Sequence, residues 1–285
     1  MEKLEQLARR IRRHALMAIH SAESGHPGGC LSCADLLAVL WSGDMGDSLK
    51  NGADPARNRF ILSKGHAAPA LYAVAAEAGL IPRQELLGLR KLGHRLQGHP
   101  SVLATPWAET SSGSLGQGFS VALGLAMGLR YQGHASRVFV MLGDGEMQEG
   151  EVWEAAMCAA HHKLGQLTAI VDYNKMQSDA LNEEILGLEP LADKWRAFGW
   201  RVEEIDGHDF GQITRALAEA TEVARPCVVI AHTHKGKGVS FMENSPAWHG
   251  SVKLKDGELR QALEELGMAP EAIERYFTEG VIDEQ

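Results

Sequence analysis

Short apolar runs that alternate with helical stretches constrain the fold of this chain more than any other feature of its sequence. After residue 115 the runs are VFVML (138–142), LTAIV (167–171), WRVEEI (200–205) and CVVIAHT (227–233). Strand-length runs separated by helices of roughly ten to fifteen residues are typical of βαβ units, whose strands are parallel. We therefore predict an α/β fold in which helices flank both faces of a parallel sheet.

The first 115 residues are predicted to be mostly helical. Apolar residues at helical spacing indicate an amphipathic helix over 2–20, and Ser32 followed by Asp35 has the pattern of a helix start, so a second helix is expected over 32–42. RFILSKGHAAP (59–69) reads as one more strand that turns into a helix. No linker or repeat divides the chain, so we expect one domain over 1–285, with a helical addition from about residue 257.

Charge and composition exclude several classes of function. The 285 residues include 37 acidic and 28 basic side chains, a net charge of -9, so we expect no nucleic-acid partner and no attraction to anionic membranes. No apolar run reaches the roughly eighteen residues of a membrane span, and Glu2 and Glu5 argue against an organellar transit peptide. Four cysteines are too few for a disulfide framework, which suggests a cytoplasmic protein.

Cys30 and Cys33 form a CxxC motif. Such a motif has three possible roles: a redox pair, half of a zinc site, or two inert thiols. No second CxxC follows, and Cys158 and Cys227 are isolated in apolar stretches. We therefore predict that the thiols of Cys30 and Cys33 are inert.

The segment LGQGFSVALGLAMGLRYQG (115–133) reads as a helix that is unusually rich in small residues. Glycine lowers helix stability, so a helix that keeps it at this density is expected where two backbones approach closely. The segment is either a plain core helix or a helix packed against another helix, which includes one across a subunit interface.

Polar side chains follow two of the predicted strands. Asp144 ends one strand and Asn174 ends the next, so neighbouring parallel strands would bring both to one edge of the sheet. With a carbonyl such as that of Met176 they form an oxygen set that suits Mg²⁺ or Ca²⁺. The helix that begins near Glu149 points its N-terminus to the same place, which favours an anion. The glycines do not match GxGxxG, and Glu151 stands where a P-loop requires lysine.

A set of ordered motifs extends this interpretation beyond geometry. The motifs are SGHPGG, LSKGHAAPALYA, GHP, SSGSLGQG, GDGEMQEGEVWEA, KLGQLTAIVDYNK, IDGHD and HKGKGVSFMENSPAWHG. GDG followed by Asn resembles the thiamine diphosphate motif, and the motifs in this order resemble the N-terminal half of transketolase. The resemblance covers nearly the whole chain, to about residue 255, and implies the thiamine diphosphate-binding fold of the diphosphate type.

The resemblance also implies roles for individual residues. It implies that Mg²⁺ or Ca²⁺ is held by Asp144, Asn174 and the carbonyl of Met176. It implies that thiamine diphosphate is contacted by Lys64, His66, Gly113, Ser114, Leu115, Gly145, Asn174, Lys235 and His249. It implies that the sugar is met by three catalytic histidines: His26, His99 and His249. Lysines and imidazoles offset diphosphate charge, and histidine shuttles protons near neutral pH.

Taken one at a time, these residues have ordinary alternatives. His66 could cap a helix, His26 and His99 could be turn histidines before prolines, and Lys235 could lie in a solvated loop. Glu149 and Glu154 correspond to family carboxylates at the subunit interface, or are surface glutamates. The ordered context favours the functional roles for most of the site residues.

The resemblance implies transfer of a two-carbon ketol unit from a ketose phosphate to an aldose phosphate. In the family, a glutamate from a second, pyrimidine-binding domain activates the cofactor, and that domain has no counterpart here. We expect either the N-terminal subunit of a split transketolase, paired in an α2β2 assembly with a complementary C-terminal subunit, or an expressed fragment; the coherent tail favours the subunit. The alternatives are a deoxyxylulose phosphate synthase-like subunit, the first component of a 2-oxo acid dehydrogenase, or a non-catalytic cofactor-binding module.

Overall fold

A computed structural model describes residues 1–283 of the chain, except 47, 49–51, 53, 179 and 221–223. The strands are β1 (Arg59–Leu62), β2 (Val138–Gly143), β3 (Leu167–Tyr173), β4 (Arg201–Asp206) and β5 (Cys227–His232). The helices of the N-terminal part are α1 (Glu2–Ser21), α2 (Pro27–Ser32), α3 (Ala34–Ser42), α4 (Ala68–Glu77) and α5 (Gln117–Tyr131). Those that follow are α6 (Gly150–His161), α7 (Asn182–Ile185), α8 (Leu191–Ala197), α9 (Phe210–Glu219), α10 (Asp256–Glu265) and α11 (Pro270–Glu279).

The five strands form one parallel sheet in the order β1-β2-β3-β5-β4. Each strand predicted from an apolar run is confirmed. The strands β2 and β3 are neighbours, and their last paired residues are Gly143 and Asp172. Asp144 and Asn174 follow directly, so the predicted meeting of the two side chains at one edge of the sheet is confirmed.

Helices cover both faces of the sheet, as predicted. Along β2, Phe139 and Met141 belong to one apolar cluster, which α1, α3 and α4 complete. Val138, Val140 and Leu142 belong to a second cluster on the opposite face, with α5, α6 and α8. Alternate residues of a strand point to opposite faces, and both sets are apolar because both faces are covered.

The predicted start of the second helix is wrong. Ser32 is the last residue of α2, and Cys33 is the N-cap of α3. The Ser32 hydroxyl donates to Asp172 at 2.5 Å and does not cap a helix. A buried hydroxyl needs an acceptor, and the tertiary structure supplies the carboxylate of Asp172, which lies 140 residues away along the chain. Both thiols of the CxxC motif are buried and free, and burial raises the pKa of Cys30 to about 12 and that of Cys33 to about 11.

The glycine-rich helix α5 is only half covered by its own chain. Phe119, Ala122 and Ala126 are buried against the sheet, whereas Gly124 and Gly128 are exposed and would have nothing near an added Cβ. It is therefore not a core helix on all sides. At the other end of the chain, α10 and α11 pack their apolar residues into the cluster that contains α1. Among the residues described, no helix is long and apolar enough to cross a membrane.

Candidate active site

A cavity of about 290 Å³ lies at the carboxyl edge of the sheet. Eleven of the thirteen residues predicted for the site line it: His26, Lys64, His66, Gly113, Leu115, Asp144, Gly145, Asn174, Met176, Lys235 and His249. Seven further residues complete the lining: Gly29, Gly143, Glu146, Gln148, Glu149, Gln177 and Ser178. Most of these residues come from loops that follow parallel strands, which is where ligands bind in open α/β sheets.

Two predicted residues do not line the cavity. The exposed His99 ring packs at the edge of the cavity against Gly113, where an added Cβ would lie 3.1 Å from the ring. Ser114 is exposed on the loop beside it. The structure thus brings His99 next to the site and leaves Ser114 outside it. The predicted roles of all thirteen residues stay predictions.

The Asp144 carboxylate is buried where β2 ends. Its oxygens accept hydrogen bonds from the backbone N–H groups of Gly145, at 2.8 Å, and Lys175. Burial raises the pKa of Asp144 to about 6, against the opposing effects of the Lys235 charge and the two N–H donors. The group therefore carries its charge at neutral pH in a place where water cannot screen it.

Two further oxygens converge on the same end of the cavity. The Asn174 side-chain oxygen accepts from the Met176 N–H at 3.2 Å. The Met176 carbonyl accepts from Lys235 Nζ at 2.7 Å, so a positive charge already lies against this oxygen. One carboxylate, one amide oxygen and one carbonyl are hard oxygen ligands of low total charge, which suit Mg²⁺ or Ca²⁺.

Lys64, which also lines the cavity, is paired with a carboxylate. Its ammonium donates to Asp172 Oδ2 at 2.5 Å and to the carbonyl of Gly29 at 2.9 Å. Asp172 also accepts from the hydroxyls of Ser32 and Thr233, each at 2.5 Å. Burial alone would lower the pKa of Lys64, but Asp172 outweighs it and raises that pKa above its ordinary value. The pair is therefore ionised and neutral overall.

Lys235 is equally buried, but no carboxylate of the described residues lies within hydrogen-bond distance of it. Its ammonium contacts the Met176 carbonyl and His249 Nδ1. Burial lowers the pKa of Lys235 to about 8, although the charge of Asp144 opposes this effect. Lys235 is thus the cation of this cavity whose charge remains available to an anion.

Three imidazoles cluster at the open end of the cavity. The ring centroids of His26 and His66 are 5.3 Å apart, and those of His66 and His249 are 5.6 Å apart. Burial, followed by neighbouring positive charges, lowers the pKa of His26 to about 4 and that of His249 to about 3, and holds the pKa of His66 well below its ordinary value. All three rings are neutral at pH 7 and can accept protons.

Two buried carboxylates in this region were missed by sequence reasoning. Glu146 accepts hydrogen bonds from the Ser63 hydroxyl at 2.5 Å and from the N–H groups of Gly116 and Gly143 at 2.8 and 3.0 Å. It therefore ties together three loops of the cavity wall. No local pattern marks it as buried. For Asp172 the sequence did contain an indication, because a charged residue within an otherwise apolar strand is expected to have a buried partner.

The residues present fit a diphosphate with a divalent cation. The Met176 carbonyl already accepts a cationic donor, Asp144 presents a buried negative charge beside it, and Lys235 and the neutral imidazoles face the same space. The walls approach closely because Gly65 lacks a side chain, and an added Cβ there would lie 2.8 Å from the Gly113 nitrogen. The cation ligands and the anion-binding groups therefore share one small cavity.

Comparisons with known proteins agree with this chemistry. A family model described as the transketolase thiamine diphosphate binding domain matches residues 4–281. The chain is 42% identical over 264 residues to a 6-deoxy-6-sulfo-D-fructose transketolase subunit of a Clostridium species, covering 92% of this chain and 96% of that subunit. It is 40% identical over 266 residues to an apulose-4-phosphate transketolase subunit of Actinobacillus succinogenes, covering 93% and 96%.

Longer relatives match over only part of their length. Human transketolase is 40% identical over 258 residues, which are 90% of this chain and 41% of the human protein. The crystal structure of transketolase from Campylobacter jejuni superposes with a TM-score of 0.86 at 30% identity, covering 95% of this chain and 43% of that one. The chain therefore spans nearly all of the subunit relatives and less than half of the full-length enzymes.

Proposed function

This chain belongs to the transketolase family, and on that premise we propose that it is the cofactor-binding subunit of a two-chain transketolase. The assembled enzyme would transfer a two-carbon ketol unit from a ketose to an aldose. The two subunit relatives, of which the chain covers 96%, support a two-chain arrangement. The sugars in their names, one sulfonated and one phosphorylated, support an anionic sugar as substrate here, with sugar phosphates as the first candidates.

The observation that carries the proposal is that a set of oxygen ligands for a metal ion lies in the same cavity as a lysine ammonium that is not paired with a carboxylate. Asp144, Asn174 and the Met176 carbonyl would hold Mg²⁺, and Lys235 would face the diphosphate from the other side. A diphosphate bound with a divalent cation keeps excess negative charge, which one free ammonium at short range offsets. Lys64 would contribute mainly to the shape of the cavity, because Asp172 neutralises its charge.

Bound thiamine diphosphate would supply a nucleophilic carbon and an electron sink for cleavage of a carbon–carbon bond. The chain's own residues would bind the sugar and move its protons. His26 lines the cavity and its ring is neutral, so it can accept a proton from a sugar hydroxyl through the part of the ring that faces the cavity. His249, held by Lys235, would orient the same end of the sugar.

The exposed face of α5 supports the need for a partner chain. Val121, Gly124 and Gly128 lie uncovered on a helix that is otherwise apolar, and Glu149 lines the cavity at the start of the neighbouring α6. Small residues on a helix face allow a second backbone to approach closely. We propose that a complementary subunit with a pyrimidine-binding domain covers this face in an α2β2 assembly and completes the site.

The test is reconstitution with a candidate C-terminal subunit. The chain alone is expected to show no ketol transfer, and the mixture is expected to transfer a two-carbon unit in a coupled assay with a ketose phosphate and an aldose phosphate. Asp144→Ala should abolish transfer, because it removes the charged cation ligand. Asp193→Ala is the matched control, since Asp193 is an exposed carboxylate on α8 paired with Arg196.

Two results would overturn the proposal. Full activity of the chain alone would exclude the need for a partner. A mixture that binds thiamine diphosphate and Mg²⁺ in calorimetry but transfers no ketol unit from any anionic ketose would exclude the activity.

A further inference from the structure

Arg90 lies where three loops meet, and each loop carries one of the predicted catalytic histidines. We define the three histidine loops as residues 24–26, 98–99 and 249–251, which contain His26, His99 and His249. Arg90 itself is not among the residues that line the cavity. It follows the short helical turn Arg83–Gly88 and was not singled out by any sequence motif.

The Arg90 guanidinium contacts all three histidine loops. Nη1 donates to the hydroxyl of Ser24 at 2.5 Å and to that of Ser251 at 3.5 Å. The group also lies close against Gly98, where an added Cβ would be 2.6 Å from Nε and 3.1 Å from Cζ. A rigid planar fork with several donors suits such a junction better than a single flexible ammonium.

The backbone of Arg90 is held in a conformation that disfavours side chains. Its φ is +57°, in the left-handed region, and its N–H donates to the Leu96 carbonyl at 2.8 Å. A residue with a side chain there costs free energy that glycine would not, and such strain persists where the surroundings hold it.

The charge of Arg90 acts on the histidines as well. Within the described part of the chain, its hydrogen bonds go to hydroxyls, and it forms no ion pair with a carboxylate. After burial, Arg90 is the next cause of the lowered pKa of both His26 and His99. The Arg90 charge thus adds to the effect of burial in favouring the neutral form of both rings.

We propose that Arg90 is a positioning residue that holds the three histidine loops in the single arrangement needed to meet the sugar. It acts through Ser24, Gly98 and Ser251, and it does not touch the reacting atoms. One backbone hydrogen bond, from Val252 N–H to the Gly25 carbonyl at 2.8 Å, joins two of the loops independently. Among the described residues, the Arg90 guanidinium is the group that joins the third loop, 98–99, to the other two. The importance of this arrangement for catalysis rests on the proposed function, but the coupling of the loops does not.

A double-mutant cycle on the chain alone tests the coupling. Arg90→Gly removes the guanidinium and keeps the backbone conformation without strain. Gly98→Ala pushes the guanidinium away from the opposite side, and Ala is tolerated because the φ of Gly98 is not in the left-handed region. The readout is amide hydrogen exchange by mass spectrometry, with core peptides of β2 and β3 as the control for folding. Arg95→Gln is the matched control, since Arg95 is exposed on the same segment and pairs with Glu85.

Each single variant is expected to speed exchange severalfold in all three histidine loops, while the core peptides and Arg95→Gln stay as in the wild type. In the Arg90→Gly background, Gly98→Ala should add nothing, because its target is gone. A histidine titration by NMR should also show the pKa of His26 and of His99 rising in Arg90→Gly.

Faster exchange confined to residues 88–98, or additive effects of the two variants, would overturn the inference. Because the measurement needs no partner, cofactor or sugar, failure of ketol transfer in the reconstituted enzyme would leave this result unaffected. The two proposals can therefore fail separately.

Discussion

Two buried lysines line the cavity, and they differ in how their charges are held. Lys64 and Lys235 are both about 1% exposed. Lys64 is paired with Asp172, and its pKa is raised; Lys235 contacts a carbonyl and an imidazole, and its pKa is lowered to about 8. Burial disfavours both charges, so the difference lies in the partner.

This difference separates stability from binding. The Lys64–Asp172 pair joins the turn after β1 to β3 in the protein interior, and removing one member would leave the other as a buried charge without its counter-charge. Lys235 forms no hydrogen-bonded pair with a carboxylate of the described residues, although the charge of Asp144 acts on it, so we expect its ammonium to contribute less to folding than that of Lys64 and to be available to an anionic ligand. We expect Lys64 to support the fold and Lys235 to bind the cofactor.

Substitution of Lys64 should have the largest effect on stability. Lys64→Met is expected to lower the free energy of unfolding by about 3–5 kcal/mol, because Asp172 remains buried without a counter-charge. Urea denaturation followed by circular dichroism measures the change. The double variant Lys64→Met/Asp172→Leu should recover part of the loss, since apolar residues then replace both charges while the buried hydroxyls of Ser32 and Thr233 lose their acceptor. If the free energy of unfolding of Lys64→Met lay within about 1 kcal/mol of that of the wild type, the proposed difference between Lys64 and Lys235 would be wrong.

Substitution of Lys235 should instead affect cofactor affinity. Lys235→Met is expected to weaken thiamine diphosphate binding about tenfold to a hundredfold, the loss of one charge-assisted hydrogen bond, with the free energy of unfolding unchanged or raised. Isothermal titration calorimetry in the presence of Mg²⁺ measures the affinity. Lys237→Met is the control, because Lys237 lies two residues on and faces Glu243 at the surface. Equal affinities for all three proteins would show that Lys235 does not face the diphosphate.

Glu146 extends the comparison to a buried carboxylate that is held by neutral donors. Glu146→Gln is expected to cost about 1–2 kcal/mol of stability, because the new amide N–H₂ would face N–H or O–H donors and one hydrogen bond would be lost. Thermal and urea unfolding would detect it. Glu154→Gln, on the exposed side of α6, should be neutral. A neutral result for Glu146→Gln would mean that the three loops are held by other contacts.

Alkaline pH should reveal the Lys64–Asp172 pair with a smaller effect. The folded pKa of Lys64 is raised, so its contribution is complete below the unfolded pKa of about 10.4 and declines as pH rises toward the folded value. The loss at pH 11 is expected to be up to about 1 kcal/mol relative to pH 9. The Lys64→Met/Asp172→Leu variant should lack this part of the decline. Parallel pH profiles for the two proteins would contradict the assignment.

Much of the fold followed from local patterns. The apolar runs predicted all five strands and their spacing predicted that the strands are parallel; the pairing of β2 with β3, on which the meeting of Asp144 and Asn174 at one edge depended, is seen in the structure. Such features are predictable because strand and helix periodicity is written along the chain. The order of β4 and β5 in the sheet was not predictable, because β3 pairs with β5 although β4 and three helices lie between them along the chain.

The sequence predicted most of the residues that line the candidate site, but it did not predict how their charges are paired. Motif order placed Lys64 and Lys235 together as equivalent cations, and nothing local distinguished them. Ser32 was interpreted as a helix cap because its tertiary acceptor, Asp172, lies 140 residues away. Glu146 and Arg90 were overlooked for the same reason.

The sequence by itself determined which elements form and which ends of the strands carry oxygen ligands, histidines and lysines, because these depend on residue type and on spacing along the chain. Only the tertiary structure decided which lysine is neutralised and which charge stays free. Only the tertiary structure placed one arginine among the three histidine loops. The free energy of a charge depends on burial and on partners within a few ångströms, and those partners come from distant segments.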